Sequence, residues 1–189
     1  MEDIGLIEKA RRGDEAAWEQ IVRSHQEAVF RLAYLYTRDE ADAADVAQET
    51  FIRAYKALER FDATRALKPW LLSIVANQAR NRRRSIGRYW AALQRWQQGR
   101  GEEFKDVEKV AEAQSKANRL WQAVQRLGEG DQQVIYLRYF LELPVAEAAE
   151  VLKVAEGTIK SRTSRALRRL ETIIENDFPD LKQGSLDAD

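Results

Sequence analysis

The chain has 189 residues, 31 basic and 31 acidic residues, no cysteine and a hydrophobic fraction of 44%. This composition excludes a disordered chain, a disulfide scaffold and any site built on thiolates. Because no apolar run approaches the ~18 residues of a membrane helix and the N-terminus lacks a signal-peptide pattern, we expect no membrane insertion. The absence of cysteine favours a reducing cytoplasm as the location of the protein.

The N-terminal segments show helical spacing of apolar residues, and with only 3 prolines and 9 glycines in the chain the predicted fold class is all-α. A short helix near residues 2–12 is closed by Gly13, and Asp14 is a good N-cap for the next helix. That second helix either breaks near Ser24 or runs on towards Tyr36.

A third helix is predicted from about Ala41 to Arg60. Asp45, Gln48 and Glu49 fall at i, i+3 and i+4, so they share one face opposite the apolar residues. Such a face suits a basic partner helix, and a solvated acidic surface is the alternative.

The next segment combines an aromatic helix with a strongly basic one, because no acidic residue occurs from residue 63 to residue 101. Phe61–Leu67 is predicted to be a loop, and Pro69 fits the first turn of a fourth helix that extends to about Arg88. The Trp70 and Asn77 side chains suit stacking against unpaired bases and holding a single strand. An apolar half-helix in a core, followed by a solvated arginine run, is the alternative.

Residues 90–116 are predicted to be a linker, since their apolar periodicity is poor and glycine and glutamine are common. A second helical domain follows, in which Gly128–Gly130 ends one helix and Asp131 caps the next. The apolar face of its first helix is expected to carry Leu120, Trp121, Val124 and Leu127.

The C-terminal part has the spacing of a helix-turn-helix: two short helices, Pro144–Leu152 and Glu156–Leu170, are joined by three residues. Basic and hydroxyl side chains on the second helix suit phosphates and base edges in the major groove, and an ordinary helix pair with a solvated basic face is the alternative. The residues expected to project outwards are Thr158, Lys160, Ser161, Ser164, Arg165 and Arg168. The residues expected in the core are Val145, Ala148, Ala149, Val154, Ile159, Ala166 and Leu167.

Catalysis finds little support in the sequence. His25 is the one histidine, and neither a glycine-rich phosphate loop nor a pair of perturbed carboxylates is present. A nuclease would need a metal-ligating carboxylate cluster, which neither basic surface offers. We therefore expect no catalytic residue, no metal and no cofactor.

Three segments in order resemble the extracytoplasmic-function (ECF) sigma factors of the sigma-70 superfamily. Residues 42–55, DAADVAQETFIRAY, resemble the segment that binds the polymerase clamp. Residues 69–77, PWLLSIVAN, resemble the reader of the minus-ten promoter element, and residues 152–162, LKVAEGTIKSR, resemble the helix-turn-helix that reads the minus-thirty-five element. The similarity covers about residues 5–88 and 117–172.

The resemblance implies a transcription initiation factor that is not an enzyme and that directs RNA polymerase to promoters and assists their opening. Its implied domains are sigma domain 2 in residues 1–89, a linker in 90–116, sigma domain 4 in 117–175, and an acidic tail in 176–189. The implied partners are the β′ clamp and β flap of core RNA polymerase, promoter DNA, and an anti-sigma protein that could hold the chain at the membrane.

The resemblance also assigns residues to each surface, with Asn77 reading a flipped base and the Phe61–Leu67 loop forming the rest of its pocket. The residues assigned to core polymerase are Asp45, Gln48, Glu49, Ile52 and Tyr55. Those assigned to the minus-ten element are Phe61, Arg65, Lys68, Trp70, Asn77, Arg80, Asn81 and Arg84. Those assigned to the minus-thirty-five element are the six outward-facing residues of the helix-turn-helix.

The chain departs from the family at three places. Lys153 stands at the usual turn glycine and Ala155 at the usual serine cap, while Leu67 and Lys68 replace an aromatic residue and an Arg or Thr before the proline. These departures concern promoter specificity. The alternative function is a stand-alone helix-turn-helix regulator with a helical sensor domain, which should bind duplex DNA without polymerase.

The linker length bears on the arrangement of the free protein. A flexible linker of about 28 residues spans about 30 Å on average, whereas the resemblance implies two promoter elements about two helical turns, or about 70 Å, apart. We therefore expect the free domains to lie close together, with Trp90 and Trp96 or an anti-sigma protein between them.

Overall fold

The computed structural model describes residues 3–79 and 116–183, and helices occupy most of both ranges without a single strand. The predicted all-α class, with a helix-turn-helix in the C-terminal domain, is confirmed. The N-terminal helices are α1 (Asp3–Arg11), α2 (Glu15–Thr37), α3 (Glu40–Ala57), a 3-10 turn (Leu58–Arg60) and α4, which begins at residue 67 and is described to residue 79. The C-terminal helices are α5 (Lys116–Gln125), α6 (Glu129–Ile135), a π turn (Tyr136–Phe140), α7 (Val145–Leu152), α8 (Glu156–Asp177) and α9 (Asp180–Gln183).

The first helix ends and the second begins as predicted. Gly13 has a φ of 86°, in the left-handed region that favours glycine. The Asp14 carboxylate accepts a hydrogen bond from the Ala17 amide at 3.0 Å. Of the two alternatives for α2, the structure shows the continuous helix, because Val29 and Leu32 carry its buried face past the polar residues near Ser24.

A buried polar contact joins α4 to α3. Gln78 donates from Nε2 to the Thr50 hydroxyl at 3.1 Å, and that hydroxyl donates to the Val46 carbonyl at 2.8 Å. Thr50 is fully buried, so both hydrogen bonds lie out of reach of water. The contact sets the rotation of α4, with Gln78 facing α3 and the neighbouring Asn77 exposed.

The prediction that Asp131 caps α6 is wrong. Gly128 occupies the N-cap position, and Asp131 lies in the first turn, where its buried carboxylate accepts a hydrogen bond from Arg169 of α8. Gln132 follows and donates to the carbonyls of Gln125 and Leu127 at 2.9 and 2.7 Å. These bonds satisfy acceptors at the end of α5 and hold α5, α6 and α8 together.

Two residues that were expected on buried faces are exposed: Leu120 by 43% and Leu167 by 39%. The inward row of α8 consists of Ile159, Ala166 and Leu170, at i, i+7 and i+11. Leu167 follows Ala166 and so points about 100° away from that row. Leu120 likewise lies at the edge of the α5 face, whose other expected members are buried or half-buried.

The two domains contact each other. The Tyr36 ring of α2 meets the Tyr136 ring edge-to-face, with 5.8 Å between centroids. Arg65, between α3 and α4, forms an ion pair with Glu150 of α7. This contact agrees with the arrangement expected from the linker length. Residues 90–115 of the predicted linker, with its two tryptophans, lie outside the described residues, and its last residue, Lys116, begins α5.

Candidate protein and nucleic-acid interfaces

Helix α3 presents the predicted acidic face. It runs unbroken from Glu40 to Ala57, so the i, i+3, i+4 spacing places Asp45, Gln48 and Glu49 on one side. Asp45 and Gln48 are exposed, whereas Glu49 is half-buried and accepts a hydrogen bond from Arg53 Nε at 2.6 Å. The face therefore carries carboxylate acceptors and an amide, and two of its three side chains are exposed.

An apolar groove of about 390 Å³ lies beside this face, between α2 and α3. The Trp18 ring packs against Tyr55, with 5.1 Å between centroids, and against Phe51 at 6.3 Å. Ile52 and Tyr55 are 41% and 47% exposed, although both are large apolar side chains. Clustered exposed apolar residues with a charged rim are typical of a protein-binding site. The groove is lined by Trp18, Val22, Gln48, Phe51, Ile52, Tyr55 and Lys56.

The loop between α3 and α4, residues 61–66, has a defined turn. The Thr64 amide and hydroxyl both donate to Asp62 Oδ1, at 3.0 and 2.7 Å. These two hydrogen bonds, the hydroxyl first, lower the pKa of Asp62, and the charge of Arg65 acts in the same direction. The carboxylate form therefore holds the turn at neutral pH, and Arg65 lies exposed beside it.

An aromatic pair lies beneath the loop. Phe61 is buried, and its ring centroid lies 4.5 Å from that of Trp70, which is half-buried. Phe61 thus shapes the wall of the predicted pocket from below. Lys68 is half-buried and lines a cavity of about 370 Å³ together with α2 and Leu141 of the other domain.

Asn77 is exposed on α4, seven residues beyond Trp70. Seven residues make about two helical turns, so the two side chains share a face about 10 Å apart. The remaining minus-ten assignments lie outside the described residues: Arg80, Asn81 and Arg84.

The turn of the helix-turn-helix has the left-handed backbone that is expected where Lys153 replaces the usual glycine. Lys153 has φ 55° and ψ 48°, a left-handed conformation that favours glycine. Its amide donates to the Glu150 carbonyl at 3.2 Å, and the Val154 amide donates to the Ala149 carbonyl at 3.0 Å. Ala155 caps α8 without a side-chain hydrogen bond. The sequence therefore forms the turn in spite of a strained residue and a missing cap.

The outward face of α8 is polar and basic. Lys160, Arg165 and Arg168 are exposed, as are Ser161 and Ser164, while Thr158 is half-buried. Arg165 Nε donates to the Ser161 carbonyl at 3.3 Å, along the same face. In residues 3–79 and 116–183, no carboxylate forms an ion pair with these three basic side chains. Their charge is available to phosphates or base edges.

Among the described residues, no three His, Cys, Asp or Glu side chains come together in a way that could hold a metal ion. The helices of the described segments are also too short or too polar to span a membrane.

Trp18 and Val22 line the groove, although their sequence pattern did not predict a place on a binding surface. Their spacing with Ile21 is that of a buried helix face, and Ile21 is indeed buried. The signal that could have found them is the number of large apolar residues on α2 and α3. This number is larger than the number of such residues that the contact between the two helices can bury.

Comparison with known proteins places the chain in a family. The Sigma-70 region 2 family matches residues 21–89, and the Sigma-70, region 4 family matches residues 117–170. The RNA polymerase sigma-H factor of Pseudomonas aeruginosa is 30% identical over 183 residues, which cover 92% of this chain and 94% of the relative. The ECF RNA polymerase sigma factor SigW of Bacillus subtilis is 29% identical over 172 residues, covering 87% and 92%.

A solved structure is similar over both domains. CnrH, in complex with the cytosolic domain of CnrY, matches with a TM-score of 0.70 and 26% identity, covering 93% of this chain and 98% of that one. Since both regions match in the same order and relatives match along nearly their whole length, this chain belongs to the ECF sigma factors of the sigma-70 family.

Proposed function

We propose that the chain directs bacterial RNA polymerase to promoters and assists promoter opening, and that it catalyses no reaction itself. The observation that carries the proposal is the apolar groove beside the acidic face of α3. A polymerase-binding factor needs such a surface, whereas reading duplex DNA does not require one.

The groove and the acidic face have different proposed roles in binding the β′ clamp. Ile52 and Tyr55 supply apolar area that becomes buried on binding, which is where most interface affinity arises. Asp45 and Gln48, on the rim, select a basic partner and fix its register. The β flap is the proposed contact of the C-terminal domain.

The loop and α4 form the proposed minus-ten reader. The Asn77 amide both donates and accepts hydrogen bonds, so it can read the Watson–Crick edge of a base that has left the duplex. Arg65 and Lys68 are the proposed contacts to the phosphate backbone, and the aromatic pair is the proposed floor of the pocket. Reading a flipped base stabilises the open strand, which is how this surface assists promoter opening.

Helix α8 is the proposed minus-thirty-five reader. Lys160 and Arg165 can bridge guanine edges in the major groove, and Ser161 and Ser164 can contact phosphates or bases. The helix lies behind a turn of the length that lets a recognition helix enter the groove.

A protein regulator is the proposed third partner. CnrH, which shares the two-domain arrangement of this chain, is bound to the cytosolic domain of CnrY. The family resemblance identifies such partners as anti-sigma proteins. The proposed site of action is therefore the cytoplasm, and a membrane-anchored partner would hold the chain at the membrane.

Binding measurements with and without core polymerase separate this function from a stand-alone regulator. We expect the chain alone to bind promoter duplexes weakly, and core polymerase to raise sequence-specific affinity strongly. Tight, sequence-specific duplex binding by the chain alone, unchanged by core polymerase, would establish the alternative.

A further inference from the structure

The backbone that enters the proposed minus-ten loop is held by a residue far away in sequence. Arg11, the last residue of α1, donates from Nε to the Leu58 carbonyl at 3.0 Å. Its Nη2 donates to the Phe61 carbonyl, so one guanidinium bridges two acceptors three residues apart. Arg11 precedes these residues by 47 and 50 positions and is half-buried.

The two carbonyls lie at the junction between the end of α3 and the loop. The Leu58 carbonyl also accepts from the Phe61 amide at 3.2 Å, which closes the 3-10 turn, whereas the Phe61 carbonyl lies beyond that turn. A planar guanidinium with fixed donors can bridge the two carbonyls at a set spacing. A lysine ammonium is a single point charge on a flexible stem and cannot impose that geometry. Arg11 therefore fixes Phe61 with extended backbone angles, φ −72° and ψ 131°.

The residues that shape the proposed pocket begin at the anchored Phe61 carbonyl. The Phe61 ring reaches beneath Trp70, and the next residue, Asp62, forms the turn with Thr64. The charge of Arg11 also helps to lower the pKa of Asp62, which keeps the turn-forming carboxylate ionised.

We infer that Arg11 is a positioning residue for base recognition: it holds the loop in the shape that receives a flipped minus-ten base before DNA arrives. This inference rests on the proposed function. Arg11 lies outside residues 21–89, the range matched by the Sigma-70 region 2 family.

The attachment of α1 does not depend on this side chain. Ile7 and Ala10 are buried at 1% and 2% exposure and pack α1 into the core. Loss of the Arg11 hydrogen bonds should therefore loosen the loop and leave the domain folded.

The chain offers a matched control in Arg12, the next residue. Its side chain is 79% exposed and pairs only weakly with Glu8 of the same helix, at 3.9 Å. Arg12→Ala removes the same charge from the same helix end without touching the loop.

The experiment uses holoenzyme assembled from core polymerase and wild-type chain, Arg11→Ala, Arg11→Lys or Arg12→Ala. Affinity is measured for a premelted promoter that carries either the preferred or a substituted base at the flipped minus-ten position. We expect Arg11→Ala to reduce the discrimination ratio by about tenfold, equivalent to about 1.4 kcal/mol. Arg11→Lys should lose most of it as well, while Arg12→Ala should match the wild type.

Core affinity and thermal unfolding are measured on the same variants, because a purely structural role would change those quantities instead. Unchanged discrimination in both Arg11 variants would overturn the inference, and so would a loss that is fully matched by lost core affinity. Failure of the proposed function has a different signature, since the wild-type holoenzyme would then show no base preference at this position.

Discussion

Replacing Glu150 with glutamine should favour separation of the two domains. Glu150 lies on the first helix of the helix-turn-helix, and its carboxylate pairs with Arg65 in the proposed minus-ten loop. In the ion pair, Arg65 is held against the C-terminal domain, so Glu150 competes with a DNA phosphate for its charge. Weakening the domain contact should therefore favour the DNA-competent form.

The expected effect is modest. The Arg65 and Glu150 side chains are 53% and 24% exposed, so solvent screens their attraction. Pairs of this kind contribute about 0.2–1 kcal/mol, which is a factor of about 1.4 to 5 in the closed-to-open ratio. The Tyr36–Tyr136 ring contact, of a type that contributes about 0.5–1.5 kcal/mol, remains in the variant. Glu150→Gln should shift the equilibrium without abolishing the closed form.

Inter-domain distances measured by fluorescence transfer or pulsed dipolar spectroscopy can follow this shift. The chain has no cysteine, so Gln26→Cys and Glu171→Cys, both at exposed positions, introduce the only label sites. The control is Glu147→Gln on the same helix. Wild type should open as salt rises, because the Debye length falls below about 10 Å above 0.1 M.

A charge swap provides the sharper test. Arg65→Glu combined with Glu150→Arg should restore the ion pair and the closed form relative to either single change. The contact with a DNA phosphate should stay lost, because Arg65→Glu places a negative charge there. Identical distance distributions for wild type and Glu150→Gln at low salt, together with no response of wild type to salt, would refute the reasoning.

The remaining predictions concern the proposed surfaces and the turn before α8. Asp45→Ala with Gln48→Ala should weaken core polymerase binding in a titration while the melting temperature stays unchanged, since both side chains are exposed. Arg165→Ala should cost about 1–3 kcal/mol in affinity for the upstream element if it contacts a base edge, whereas Asn77→Ala should impair promoter opening and leave upstream duplex binding intact. Lys153→Gly should raise the free energy of unfolding by about 1 kcal/mol in urea titrations, because glycine adopts the left-handed conformation without strain.

Each of these has a contrary outcome. Equal core affinity for the double variant and wild type would remove the acidic face from the polymerase interface. A change in duplex binding for Asn77→Ala, with normal open-complex formation, would show that the pocket is misassigned. A lower unfolding free energy for Lys153→Gly would show that the lysine side chain contributes more than its backbone angle costs.

The sequence predicted those features that local chemistry determines. Asp14 and Gly13 mark helix ends through their own side chain and backbone freedom, and the structure has both. The helix-turn-helix follows from the number of residues between Leu152 and Glu156, and its left-handed turn forms at Lys153. The acidic face follows from helical spacing alone.

Features that depend on contacts between distant segments were not predictable. The π turn Tyr136–Phe140 adds a residue to the helical period, which buries Tyr136 and leaves Tyr139 52% exposed. Asp131 resembles an N-cap in sequence, but Arg169, 38 residues away, takes its carboxylate. Arg11 gives no signal in sequence, because its partners are backbone carbonyls of another helix end.

Reconstituted transcription tests the central claim most directly. Purified core polymerase is mixed with the chain and a panel of promoter fragments, and the start sites and amounts of transcript are mapped. The account predicts transcripts from specific promoters that require both core polymerase and this chain, and that decrease with Asn77→Ala. Transcripts that are the same with and without the chain, at every promoter of the panel on which relatives initiate, would contradict it.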